Sequence, residues 1–63
     1  MKERMEYKFF RMNVGGVVDT AQTVRLADDT AAVSHAQGFG GGLAVEIWRR
    51  DRKIATVPPA PRH

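Results

Sequence analysis

Hydrophobic and polar residues alternate most cleanly in the second half of the chain, where Leu43, Val45 and Ile47 are interleaved with Ala44, Glu46 and Trp48. A period of two marks a strand with one buried face, so the first set is expected to point into a core and the second away from it. Arg50-Asp51-Arg52 reads as a turn and Lys53 to Val57 as the returning strand. Pro58 and Pro59 end it, since proline has no N–H to give to a sheet ladder. Another hairpin is expected earlier. Tyr7 to Met12 is aromatic-rich and interleaved with cations, and Asn13-Val14-Gly15-Gly16 supplies residues tolerant of positive φ. Val17 to Leu26 then returns with Gln22, Val24 and Leu26 on one face and Ala21, Thr23 and Arg25 on the other.

Between the two hairpins the period lengthens. Asp28-Asp29-Thr30 places short carboxylates where the free N–H groups of a first helical turn need acceptors. Ala32, Val33, Ala36 and Phe39 follow at helical spacing, with Ser34, His35 and Gln37 directed elsewhere. Gly38 either closes this helix or lies inside one that continues to Gly40. The expected fold is α+β: two β-hairpins joined by one short helix (ββαββ), in a four-stranded, mainly antiparallel sheet with the helix on one face. Residues 7–57 make this single domain, residues 1–6 a flexible N-terminal stretch and residues 58–63 a Pro-rich, disordered tail.

Length sharpens this picture. A chain of 63 residues buries only about 60% of the surface it exposes when unfolded, so a second core has no room and extra burial against a partner is valuable. The chain has no cysteine, and therefore no disulfide, thiolate nucleophile or Cys-based zinc site to reinforce it. No apolar run approaches the roughly 18 residues needed to cross a bilayer, and no apolar signal segment follows Met1, so the protein is expected in the cytoplasm without a membrane partner. The net charge of +3 is unevenly spread. Residues 1–11 carry a net of +2, residues 12–48 a net of −3 and residues 49–63 a net of +4, concentrated in Arg49, Arg50, Arg52 and Lys53.

Several short pieces, taken in order, resemble a group of short bacterial, largely alphaproteobacterial, one-domain ββαββ proteins. They are Tyr7-Lys8-Phe9-Phe10-Arg11-Met12-Asn13, the hairpin Gly15-Gly16-Val17-Val18, the acidic helix start Asp28-Asp29, Gly40-Gly41-Gly42 before Val45-Glu46-Ile47-Trp48, and Arg52-Lys53-Ile54-Ala55. The similarity spans residues 7–57. It departs in the helix, where Thr30-Ala31 stands in place of the group's usual acidic residues. The resemblance implies the fold and no chemistry.

Candidate catalytic and ligand-binding motifs are sparse. Gly38-Phe39-Gly40-Gly41-Gly42 has a phosphate-loop composition, but it leaves a helix C-terminus, whose partial charge repels anions. Ser34 and His35 are adjacent on a helix and point about 100° apart, so they cannot act as nucleophile and base. No cofactor, metal or small-molecule substrate is implied, and the chain reads as non-enzymatic. Pro58-Pro59-Ala60-Pro61-Arg62 has polyproline spacing, with a frayed terminus as its simpler reading.

The uncovered face of the sheet carries the functional expectation. One helix covers one face, and because Phe9 and Phe10 are consecutive, one of them must join Trp48 on the other. Phe9, Phe10, Trp48, Arg50 and Ile54 are therefore the candidate protein-interface residues. The function expected is a small protein-interaction module, homo-oligomeric through that face or an edge strand, serving as an adaptor or regulatory subunit. The alternative is weak single-stranded nucleic-acid binding, with sheet aromatics stacking on bases and Arg49, Arg50, Arg52 and Lys53 holding phosphates.

Overall fold

The computed structural model describes residues 4–59. Residues 1–3 and 60–63, which include the start of the expected flexible stretch, most of the Pro-rich tail and His63, lie outside the described residues. The elements are β1 (Met5–Met12), β2 (Val18–Leu26), α1 (Asp29–Gly40), β3 (Ala44–Arg49) and β4 (Arg52–Val57). They form one four-stranded sheet in the order β2-β1-β3-β4, with every neighbouring pair antiparallel. This is the expected ββαββ arrangement, a small α+β fold. β1 begins at Met5, opposite Leu26, two residues before the aromatic run that signals it. Since β1 runs antiparallel to both its neighbours, β2 and β3 are parallel, and α1 is the crossover between them.

Asn13 organises the first hairpin. Its Oδ1 accepts from the N–H groups of Gly15 (2.9 Å) and Val17 (3.2 Å), while its own N–H donates to the Val17 carbonyl (2.9 Å). An asparagine that bonds the backbone two residues on favours this kind of turn locally. The second hairpin closes through the two residues Arg50 and Asp51, with Arg50 at φ 59°.

Asp28 is the N-cap of α1, with extended backbone and a side-chain oxygen accepting the Ala31 N–H at 2.8 Å. The helix passes through Gly38 and ends with Gly40, and Gly41 caps it at φ 56°, which resolves the alternative left open by the sequence. Ala32, Ala36 and Gly40 form its buried strip. A Cβ on Gly40 would meet Val45 Cγ2 at 2.8 Å, so the absence of a side chain sets how closely the helix end approaches β3.

The core comprises Tyr7 and Phe9 of β1, Val45 and Ile47 of β3, and Ala32 and Ala36 of α1, all fully buried. A helix about 10 Å across spans about two strands spaced 4.8 Å apart, and the fully buried strand residues all belong to the two central strands. Three expectations are corrected here. Phe9 is a core residue rather than a surface contact, because it shares with Tyr7 the β1 parity that faces the helix. Ile54 is the extra residue where the β3–β4 register shifts, and it packs partly buried against the core instead of joining the outer face. Leu43 lies before β3 and outside the core, because the turn through Gly41 and Gly42, closed by Leu43 N–H to the Gly40 carbonyl at 3.0 Å, delays the strand to Ala44.

Candidate functional site

Three surfaces are built by this topology: the outer sheet face, the sheet end that carries the β3–β4 turn, and the β2 edge. On the outer face Phe10 and Trp48 meet edge to face, their ring centroids 6.4 Å apart with an interplanar angle of 83°. The indole Nε1 donates to Glu46 Oε1 at 3.1 Å, and Lys53 Nζ lies 3.7 Å from Glu46 Oε2. Both rings are half-buried. Lys8, Phe10, Trp48, Arg50 and Asp51 line a shallow hollow of about 280 Å³. Of the expected interface residues, Phe10, Trp48 and Arg50 thus come together, while Phe9 and Ile54 belong to the core side.

At the end of the sheet where β1 and β4 begin and β2 and β3 finish, five arginines surround a concavity of about 750 Å³: Arg4, Arg25, Arg49, Arg50 and Arg52. Its acidic lining residues are Glu6 and Asp51. Three of these arginines were expected from the cluster at residues 49–53, whereas Lys53 faces Glu46 on the outer face instead. Arg4 and Arg25 were not foreseen. Arg25 was half-legible, since pairing the first hairpin outward from Asn13 puts it opposite Glu6. Arg4 precedes Met5, whose pairing with Leu26 sets it at the same end, but both arginines meet the β3–β4 turn only because β1 pairs with β3, a long-range choice with no local signature.

The helix side of the same end holds a small polar network. The buried Tyr7 hydroxyl donates to Asp29 Oδ1 at 2.7 Å, and Arg49 lies 3.6 Å from the same oxygen. Burial, followed by the Asp29 carboxylate, holds the Tyr7 phenol above its ordinary pKa. Farther along, His35 departs from the expected surface position: it is half-buried, 4.8 Å from the Phe9 ring centroid and stacked at 12° on Phe39, with Nε2 at 2.7 Å from Gln22 Oε1. It serves packing there. Among the described residues no group of three or more His, Asp or Glu could hold a metal ion, and no helix is long and apolar enough to cross a membrane.

The two sheet edges differ in protection. β4 is guarded by Arg52 and Lys53, by the register shift around Ile54 and by Pro58-Pro59 immediately after it. β2 is nine residues long, none of them buried, and its run Thr20–Val24 carries no charge and no proline. Its one irregularity lies at its start, where Asp19 bonds Arg11 Nε at 3.1 Å. Beside that start, Val14 (88% exposed), Val17 (63%) and Val18 (48%) present apolar surface at the hairpin tip.

Compared with family models, curated proteins and solved structures, the chain matches none of them. Its function is therefore argued from these surfaces.

Proposed function

We propose that the protein is a non-enzymatic interaction module that works as a homodimer, joined edge to edge through β2. The observation that carries this reading is the unguarded β2 edge beside a guarded β4. An edge strand offers a row of unpaired N–H and C=O groups, and a second strand satisfies them. A second copy fits this edge in one orientation. The run Thr20–Val24 overlaps itself about a two-fold axis at Gln22, setting Thr20 against Val24 and Ala21 against Thr23 of the other copy. Asp19 at one end of β2 and Arg25 at the other are then brought near their opposites. A parallel arrangement would juxtapose like charges instead. The exposed Val18 falls opposite Leu26 in the same register, so the apolar hairpin tip gains cover. Such a pairing is isologous and closes at two copies.

Sedimentation across concentration, with charge reversal at the axis, tests it. Wild type should dimerise, whereas Gln22→Lys and Gln22→Glu should each remain monomeric, because like charges then stand directly opposite one another. An equimolar mixture of the two variants should dimerise again. Trp48→Ala should leave the dimer intact. A wild type that stays monomeric, or a dimer lost on Trp48→Ala and unaffected at position 22, would overturn edge pairing, the latter in favour of stacked outer faces.

A further inference from the structure

We propose that the arginine-lined end of the sheet, together with the hollow beside it, binds single-stranded nucleic acid. Phosphates would occupy the concavity among Arg4, Arg25, Arg49, Arg50 and Arg52, and an unstacked base would lie against Phe10 and Trp48. The two depressions are neighbours, because Arg50 and Asp51 line both. A cationic cradle adjoining an aromatic pair is the arrangement that holds a backbone and its bases at once.

Charge supports the phosphate half. Five guanidinium groups share the concavity with the two carboxylates of Glu6 and Asp51, a local excess of +3. Among the described residues only Arg49 of the five has a carboxylate partner, Asp29 at 3.6 Å. The fold thus gathers like charges from the start of β1, the end of β2 and the β3–β4 turn without pairing most of them. Guanidinium forks match phosphate oxygens, and a polyanion relieves the repulsion. Arg50 adds an independent sign. It holds φ 59° at the first position of a two-residue turn, a conformation that glycine or asparagine adopts more cheaply. A strained residue that lines both depressions is the pattern of a contact residue. The base half rests on geometry. The hollow of about 280 Å³ beside the half-buried Phe10 and Trp48 rings accepts a base only when it is unstacked, which a single strand offers and an intact duplex does not.

Trp48 is the chain's one tryptophan and reports directly on this site. Titration with a mixed-sequence single strand of about 10 nucleotides at low salt should quench its fluorescence saturably, with affinity falling steeply as salt rises. Arg25→Ala and Arg52→Ala should each weaken binding about fivefold and reduce the salt slope by about one. Arg50→Gly should also weaken binding while leaving the melting temperature unchanged or raised, which separates lost contact from lost fold. A duplex of equal length should bind more weakly and quench less. The proposal is overturned if the single strand neither binds nor quenches at the lowest salt. It is equally overturned if polyglutamate or inorganic polyphosphate competes as well per charge, since the arginines would then be an unselective anion patch.

Discussion

The β3–β4 hairpin and the β1–β2 hairpin lie in one sheet but stand in different relations to the helix. In the former, Val45 and Ile47 are fully buried and the outer strand is closed off by charge, a register shift and two prolines. In the latter β1 is equally buried through Tyr7 and Phe9, yet β2 places no residue in the core and begins beside three exposed valines. A single helix about two strands wide cannot cover four, and the difference shows where the shortfall lands. It lands on both edges, but only one of them is guarded against a partner.

Substitutions can break this contrast or sharpen it. The largest effect is expected within β1, where neighbouring phenylalanines face opposite ways. Phe9→Ala should cost about 3–5 kcal/mol, enough to unfold so small a domain, whereas Phe10→Ala should cost about 1 kcal/mol. Equal costs in denaturant melts would mean that the helix does not distinguish the two sheet faces. Next in size is the junction of α1 with β3. Gly40→Ala forces a Cβ onto Val45 Cγ2 and should lower stability by about 1–3 kcal/mol. At Gly38, where a Cβ meets nothing within 4 Å, the same change should raise it by about 1 kcal/mol through helix propensity alone. Both are read from thermal or denaturant midpoints.

A smaller effect concerns the Tyr7 hydroxyl, whose loss in Tyr7→Phe should cost about 1 kcal/mol at neutral pH. Because the folded pKa is raised above the ordinary 10.0, the neutral phenol stabilises the fold fully below that pH. Its contribution disappears as pH climbs through the raised folded value. Tyr7→Phe should therefore flatten the alkaline limb of a plot of midpoint against pH. The smallest effect falls on β2. The Arg11 guanidinium hydrogen bond holds the Asp19 carboxyl below its ordinary 3.8. That stabilisation is present above the ordinary value and is lost as pH falls through the lowered folded one. Asp19→Asn should remove this acid-limb dependence and lose the same small stabilisation at neutral pH, with the two proteins converging in acid. A large loss at neutral pH would show that the β2 end matters more to the folded chain than its exposure implies.

Much of the fold was legible because its signals are local. Alternation through Val45, Glu46, Ile47 and Trp48, the carboxylate of Asp28 and the asparagine–glycine loop at Asn13 each act within a few residues of themselves. The candidate sites were legible only in part. Trp48 could be placed on the outer face by parity, but consecutive Phe9 and Phe10 offered no local reason for one rather than the other to lie under the helix. His35 looked like a surface residue because its partners Phe9 and Gln22 lie on two other elements. Ile54 was misplaced because a register shift breaks the alternation that parity relies on.

By itself the sequence determined the kind and order of the elements, since hydrophobic period, caps and turn chemistry are properties of neighbouring residues. Tertiary structure alone decided that β1 and β3 lie at the centre, that five arginines from distant positions converge at one end, and that β2 is left as the unguarded edge. Those outcomes depend on which strands pair and on which pair the helix covers. That choice is made by burial summed over the whole molecule, and no single stretch of the chain carries it.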